Sequence, residues 1–261
     1  MSFHRTALAL LLAPVSLAAQ APGRAVSAPV PSLVHYDVRD LPLVELPPTT
    51  GVGRARTAAD STLVVLMTGD GDWADIDKGI AEALQSAGAA VVGLKSRSYL
   101  QEKPRTPDVL ARDVERVLRH FLPLWGRDRV VLLGYSRGAD FVPFVANRLP
   151  ADLRARVALL GMFGMETSAN FEFHWTDIVR DTKRPSDLPV APELARLRGT
   201  PMLCVYGSDE KDSACRPADP ALIERVERGG AHHFDRDYAG LAALVLRALA
   251  TPLPTRRPSP P

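Results

Sequence analysis

A mainly parallel α/β sheet covered by helices on both faces follows from two features of this 261-residue chain. Short apolar runs rich in Val and Leu alternate with amphipathic stretches from Ser61 to Glu227, as expected for strands buried in a parallel sheet. Within that rhythm, Arg129 to Asn147 reads as strand, sharp turn and helix around Gly134-Tyr135-Ser136-Arg137-Gly138, a G-x-S-x-G pattern. A serine on such a turn sits in strained backbone, and the flanking glycines let neighbouring chains pass close by. The helix that follows aims N–H groups at developing negative charge. Ser136 is therefore the candidate nucleophile, and an acid and a histidine should follow it in that order.

Met1 to Ala19 reads as a secretory signal peptide. His4 and Arg5 form a positive start, Ala7 to Leu17 a short apolar core, and Ser16-Leu17-Ala18 or Leu17-Ala18-Ala19 a small-residue cleavage site. Pro14 interrupts the apolar run, which is too short to span a bilayer. Export to the periplasm is the expectation. Residues 20–32 read as a disordered linker, 33–250 as one hydrolase-sized domain, and 251–261 as a disordered tail, both ends being rich in Pro and small residues. Basic and acidic residues nearly balance, 32 against 30, so no nucleic-acid footprint is present.

Leu33 to Leu46, broken by Pro42 and followed by Pro47-Pro48, suggests an edge strand or hairpin. Ser61 to Met67 is the next strand, ending in Thr68-Gly69-Asp70-Gly71-Asp72-Trp73. A helix from Asp75 to Ala87 puts Ile76, Ile80, Ala83 and Leu84 on one face. Gly88 stops it, and Ala89 to Leu94 is a third strand. Thr106-Pro107 starts another helix, with a buried stripe of Leu110, Val114, Val117, Leu118 and Phe121. Strands follow at Val157 to Leu160, Pro201 to Tyr206 and Ile223 to Glu227. Met162 to Arg198 breaks the rhythm as a short cap insertion carrying Phe163, Met165, Phe171, Phe173, His174 and Trp175, placed where ligands bind in such sheets.

After strand Pro201 to Tyr206 comes Gly207-Ser208-Asp209-Glu210-Lys211-Asp212. An acid just past a late strand is where such a hydrolase holds its histidine-orienting carboxylate. Asp209 is the first choice, Asp212 the second and Glu210 the least favoured. The loop Gly229-Gly230-Ala231-His232-His233-Phe234-Asp235 supplies the general base. His233 is favoured because it precedes an aromatic, and His232 stays open. The order Ser136, Asp209, His233 is that of the α/β-hydrolase fold. The oxyanion donors are the N–H of Arg137 and that of Asp70 or Gly71. Gly69-Asp70-Gly71-Asp72 lacks the P-loop lysine and the dinucleotide glycine spacing, and Asp70, Asp72, Asp75 and Asp77 lack EF-hand spacing, so neither cofactor nor metal is implied. Cys204 and Cys215, the only cysteines, bracket the acid loop and should form a disulfide in an oxidising compartment.

These stretches resemble the VirJ-type virulence proteins, including the C-terminal domain of the AcvB proteins. The likeness runs from Leu41 to Leu249 through Leu41-Pro-Leu-Val-Glu45, Gly69-Asp-Gly-Asp-Trp-Ala-Asp75, Arg105-Thr-Pro107, Gly134-Tyr-Ser-Arg-Gly-Ala-Asp140, Asn147-Arg-Leu-Pro150, Cys204 to Cys215 and His232-His-Phe-Asp-Arg-Asp-Tyr238. It implies an exported serine esterase acting on aminoacyl-phosphatidylglycerol, the lysyl or alanyl ester, with a link to virulence and to secretion-system proteins. The alternative is a non-catalytic secretion accessory on the same fold. The chain departs from the family's usual residues at Arg137, where Phe is common, and at Asp72 and Arg236, where Gly is common. Arg137 keeps its backbone N–H, so the oxyanion donor survives. An aminoacyl substrate carries an ammonium group beside the ester, for which Asp70 or Asp72 is the expected partner, with Trp73 beside them at the substrate.

Overall fold

The computed structural model describes residues 36–49, 57–173 and 184–250. The expected signal peptide, linker and tail, and His174 and Trp175, lie outside the described residues.

A seven-stranded sheet forms the centre, in the order β1-β3-β2-β4-β5-β8-β9. The strands are β1 (Leu43–Leu46), β2 (Thr62–Met67), β3 (Ala90–Leu94), β4 (Arg129–Tyr135), β5 (Val157–Phe163), β8 (Met202–Gly207) and β9 (Glu224–Arg228). Only β1 runs antiparallel, at the edge against β3. The edge strand expected between Leu33 and Leu46 is thus its last four residues, with Pro42 just ahead of it, where the missing N–H interrupts no ladder.

Successive side chains on a strand point to opposite faces, and both faces here are covered. In β2, Leu63, Val65 and Met67 join one core, while Val64 and Leu66 join the other. On the second face lie α1 (Asp75–Ser86) and α7 (Tyr238–Ala250), packed on each other. On the first lie α3 (Pro107–Leu124) and α4 (Arg137–Arg148), also packed together. Handedness explains the division. The chain steps from β2 outward to β3, then returns past β2 to β4 and on to β5. Right-handed crossovers in opposite directions leave their helices on opposite faces.

The reversal occurs between β2 and β4, whose ends pair as Met67 with Gly134. Ligand sites in open α/β sheets form at such a switch point, beyond the carboxyl ends of the strands. Ser136 and the Gly69 loop therefore leave the sheet side by side.

The helix from Pro107 starts as expected: the Thr106 hydroxyl accepts the Val109 N–H at 3.3 Å. Beyond the helices expected from the sequence come α2 (Ser96–Gln101), directly after β3, α5 (Ala151–Arg154), α6 (Ala191–Arg196) and the C-terminal α7. The described parts of the insertion pack onto the domain. Met162 and Phe163 belong to β5 itself. A two-stranded ribbon, β6 (Ser168–Ala169) with β7 (Leu188–Pro189), precedes α6 (Ala191–Arg196). Phe171 is buried, its ring stacked on Phe141 of α4 at 4.8 Å and set edge-on to Phe144. Among the described residues of the insertion, Phe163, Met165 and Phe171 are core.

Candidate active site

Ser136 connects β4 to α4 at φ 54°, ψ −127°, a conformation strained for a residue with a side chain. The two glycines of the motif make the turn sterically possible. A Cβ on Gly134 would lie 2.2 Å from the Gly138 carbonyl oxygen, and one on Gly138 would lie 2.0 Å from that of Met67. The Ser136 N–H donates to the Phe163 carbonyl at 2.8 Å, fixing the elbow to the end of β5. Arg137, the first residue of α4, lies ahead of the helix's own hydrogen-bond ladder.

Gly69 follows β2 and packs against the elbow, its Cα so close that a Cβ would lie 3.1 Å from that of Ser136. The loop it opens turns back through Asp72 N–H to the Gly69 carbonyl, 3.2 Å. The four aspartates expected near this loop are all engaged elsewhere. Asp70 accepts two bonds from the Arg137 guanidinium, 2.6 and 3.2 Å. Asp72, at φ 53°, accepts from the backbone N–H and hydroxyl of Ser98 at 3.0 and 2.7 Å. Asp75 pairs loosely with Lys78 at 3.7 Å. Asp77 is buried at the start of α1, where one oxygen accepts the Ala74 N–H at 3.1 Å. The other oxygen has no hydrogen-bond partner among the described residues, and burial pushes the carboxyl up to about 7. Trp73 packs against Gly93 of β3, where a Cβ would meet its ring at 2.3 Å. Asp70 and Asp72, the expected partners of a substrate cation, are thus each held by groups of the protein itself.

The acid and histidine loops face each other across the ends of β8 and β9. Ser208 N–H donates to the Arg228 carbonyl at 2.7 Å, and Asp209 N–H to that of Gly230 at 3.0 Å. These bonds pin the backbone of the first two loop residues, while the Asp209 side chain is exposed and accepts from the Ser208 hydroxyl at 3.3 Å. Asp212 is exposed as well. Glu210 instead curls inward. Its Oε2 accepts the Gly207 N–H at 2.5 Å, and its Oε1 binds Nδ1 of His232. Burial acts to raise the Glu210 carboxyl, but the bonds from His232 and Gly207 outweigh it and hold the group below the usual glutamate range.

The histidine partner in this pairing is His232, not His233, and the acid is Glu210, neither Asp209 nor Asp212. The turn from Ala231 to Phe234 explains the first. Phe234 N–H bonds the Ala231 carbonyl at 2.9 Å and Phe234 drives into the core, which turns His233 outward. His233 meets the Tyr135 hydroxyl, at 3.2 Å through Nδ1. His232 lies against Gly164, where a Cβ would be 2.6 Å from its Cε1. Gly164, at φ 65°, directly follows the residue that accepts the Ser136 N–H. An ionised Glu210 can only accept, so Nδ1 of His232 donates in this bond.

Two further residues support this arrangement. Tyr135 packs its ring 5.1 Å from that of His232. Arg216 braces the acid loop from behind, donating to the carbonyls of Glu210, Gly207 and Ser208 at 2.6, 3.2 and 2.5 Å. It follows Cys215, which is joined to Cys204 of β8 in the expected disulfide, with Cα atoms 5.6 Å apart. Arg216 carried no signal in the sequence, being one arginine among many.

The family model of the bacterial virulence protein VirJ matches residues 61–253. The chain belongs to the VirJ family. Among curated proteins none matches it. Solved structures give the VirJ chain an α/β-hydrolase fold. A ferulic acid complex of Est1E from Butyrivibrio proteoclasticus is similar at TM-score 0.55 and 14% identity, covering 83% of this chain and 99% of that one. MenH from S. aureus is similar at 0.54 and 13%, with 79% and 97% covered. A serine hydrolase homologue from Coxiella burnetii is similar at 0.51 and 20%, with 80% and 91% covered. At these identities the likeness is one of fold.

Proposed function

We propose that this VirJ-family protein is an exported serine hydrolase that cleaves carboxylic esters, with Ser136 as nucleophile, His232 as general base and Glu210 as the carboxylate that orients it. The observation that carries this reading is the Glu210–His232 pair, whose imidazole packs on the ring of Tyr135, the residue before the strained Ser136. His232 takes the proton of Ser136 as its Oγ attacks the ester carbon, then returns it to the leaving alcohol. The backbone N–H groups of Arg137 and of Asp70 or Gly71 stabilise the tetrahedral oxyanion. Water then repeats the sequence on the acyl-enzyme.

The substrate class is an aminoacyl ester of a phospholipid headgroup, such as alanyl- or lysyl-phosphatidylglycerol, met at the outer face of the inner membrane. With Asp70 and Asp72 engaged internally, the cleft beside His232 supplies the partner for the substrate ammonium. It encloses about 440 Å³ and is lined by Glu166, Asp209 and Asp212 against a single lysine, Lys211. Such a cleft favours a cationic acyl group over a fatty one.

Labelling with a fluorophosphonate probe tests the reaction class. Wild type should label and Ser136→Ala should not. Vesicles of alanyl-phosphatidylglycerol and of its N-acetylated form then test the substrate. Faster cleavage of the charged lipid supports the proposal. Labelling with equal rates on both leaves a general esterase, and a wild type that neither labels nor cleaves makes the protein a non-catalytic secretion accessory.

A further inference from the structure

The two residues proposed to present the oxyanion-binding N–H groups, Arg137 and Asp70, are joined to each other through their side chains. The guanidinium grips the carboxylate with two nitrogens, Nε to Oδ1 at 2.6 Å and Nη2 to Oδ2 at 3.2 Å. Its remaining nitrogen, Nη1, donates to the carbonyls of Asn170 and Glu172 in the insertion, at 3.2 and 3.3 Å. The Arg137 side chain is only 10% exposed, so these bonds form largely out of water. One side chain thus ties together the elbow after β4, the loop after β2 and the insertion after β5.

We propose that Arg137 is a positioning residue for hydrolysis, setting the distance between the two oxyanion donors through its fork on Asp70 and holding the insertion to them. The inference rests on the hydrolase reading. Its physical basis is that an oxyanion hole works only when both donors already lie at hydrogen-bond distance from where the charge develops. Met67 and Gly134 pair at the strand ends; beyond them Asp72 ties the far end of the loop to Ser98, and the Arg137 fork ties Asp70 to the elbow. A planar fork fixes both distance and angle, whereas a lysine supplies a point charge and cannot bind both oxygens and the two carbonyls together.

The test compares Arg137→Met, Arg137→Lys, Asp70→Asn and the Arg137→Met/Asp70→Asn pair with wild type on p-nitrophenyl butyrate. Turnover is expressed per site titrated by fluorophosphonate, and amide hydrogen exchange is followed in the loop 68–74. Arg137→Met should lower kcat about 10- to 100-fold with KM within about threefold, since the donors act on the transition state. Loop exchange should rise about tenfold or more, Arg137→Lys should recover part of both, and the double variant should be no worse than the worse single one. A residue that served folding alone would lower the titre and leave kcat per site untouched. Asp70→Asn probes the same pair if Arg137→Met does not fold. Turnover per site within threefold of wild type, multiplicative losses in the double variant, or unchanged loop exchange would each overturn the inference. Should the wild type fail to label at all, the hydrolase reading falls, and loop exchange by itself still decides whether Arg137 holds the loop.

Discussion

Glu210 divides its carboxylate between two tasks: one oxygen binds Nδ1 of His232 and the other takes the Gly207 N–H at 2.5 Å. The second bond closes a tight turn at the end of β8 and sets the angle from which the acid meets the ring. Asp209, one residue earlier, spends its backbone N–H on Gly230 and turns its side chain to solvent.

Replacing Glu210 by Gln should therefore lower kcat on a neutral ester by about 10²- to 10⁴-fold, because the amide favours the wrong ring tautomer. Asp209→Asn should lower it less than tenfold. The same assay should separate the histidines, with His232→Ala near the background rate and His233→Ala retaining most activity. A larger loss at Asp209 or His233 would reverse the assignment.

Asp77 predicts a pH dependence of stability. Its carboxyl is raised from 3.8 to about 7, chiefly by burial, so between those values the folded state holds a proton that the unfolded chain has released. A raised carboxyl makes its full contribution below the unfolded value and loses it as pH rises through the folded one. Stability should fall by roughly 1.4 kcal/mol per pH unit from this group between about pH 4 and 7, then level off. Urea unfolding of wild type and Asp77→Asn across that range checks it. The variant should lack that slope, whatever fixed cost its amide adds.

The Cys204–Cys215 disulfide closes a short loop, with 11 residues of sequence separation. Replacing both cysteines by alanine should cost about 3 kcal/mol by the loop-entropy relation. Because Arg216 follows Cys215 and braces the Glu210 turn, kcat should fall too, while intact mass with and without reductant should differ by two hydrogens.

Asp72 should behave as an anchor for α2. Its left-handed backbone suits Asn equally, so Asp72→Asn isolates the charge. The loss of charge-assisted bonding to Ser98 should cost about 1–3 kcal/mol in thermal or urea unfolding. Discrimination between charged and N-acetylated esters should stay as in wild type. A selective loss on the charged ester would return Asp72 to the substrate site.

Local chemistry made much of this protein legible in its sequence. Continuous apolar runs located the strands, because a strand covered on both faces is buried at successive positions. Thr106-Pro107 marked a helix start because a hydroxyl cap and a fixed φ are needed there. Gly134 and Gly138 marked the elbow because any larger residue would strike backbone. What the sequence could not decide was which of several similar side chains, crowded into one loop, turns inward. His232 and His233 are chemically alike, and their order along the chain says nothing of direction. The burial of Phe234 and the space left by Gly164 direct His232 to the acid, and the pairing of Asp209 N–H with Gly230 passes the acid's part to Glu210. The aspartates beside the oxyanion loop were likewise visible, but their partners, Arg137 and Ser98, lie 67 and 26 residues away. A carboxylate's role depends on which charge or N–H the fold brings within 3 Å of it, and only the tertiary structure supplies that neighbour.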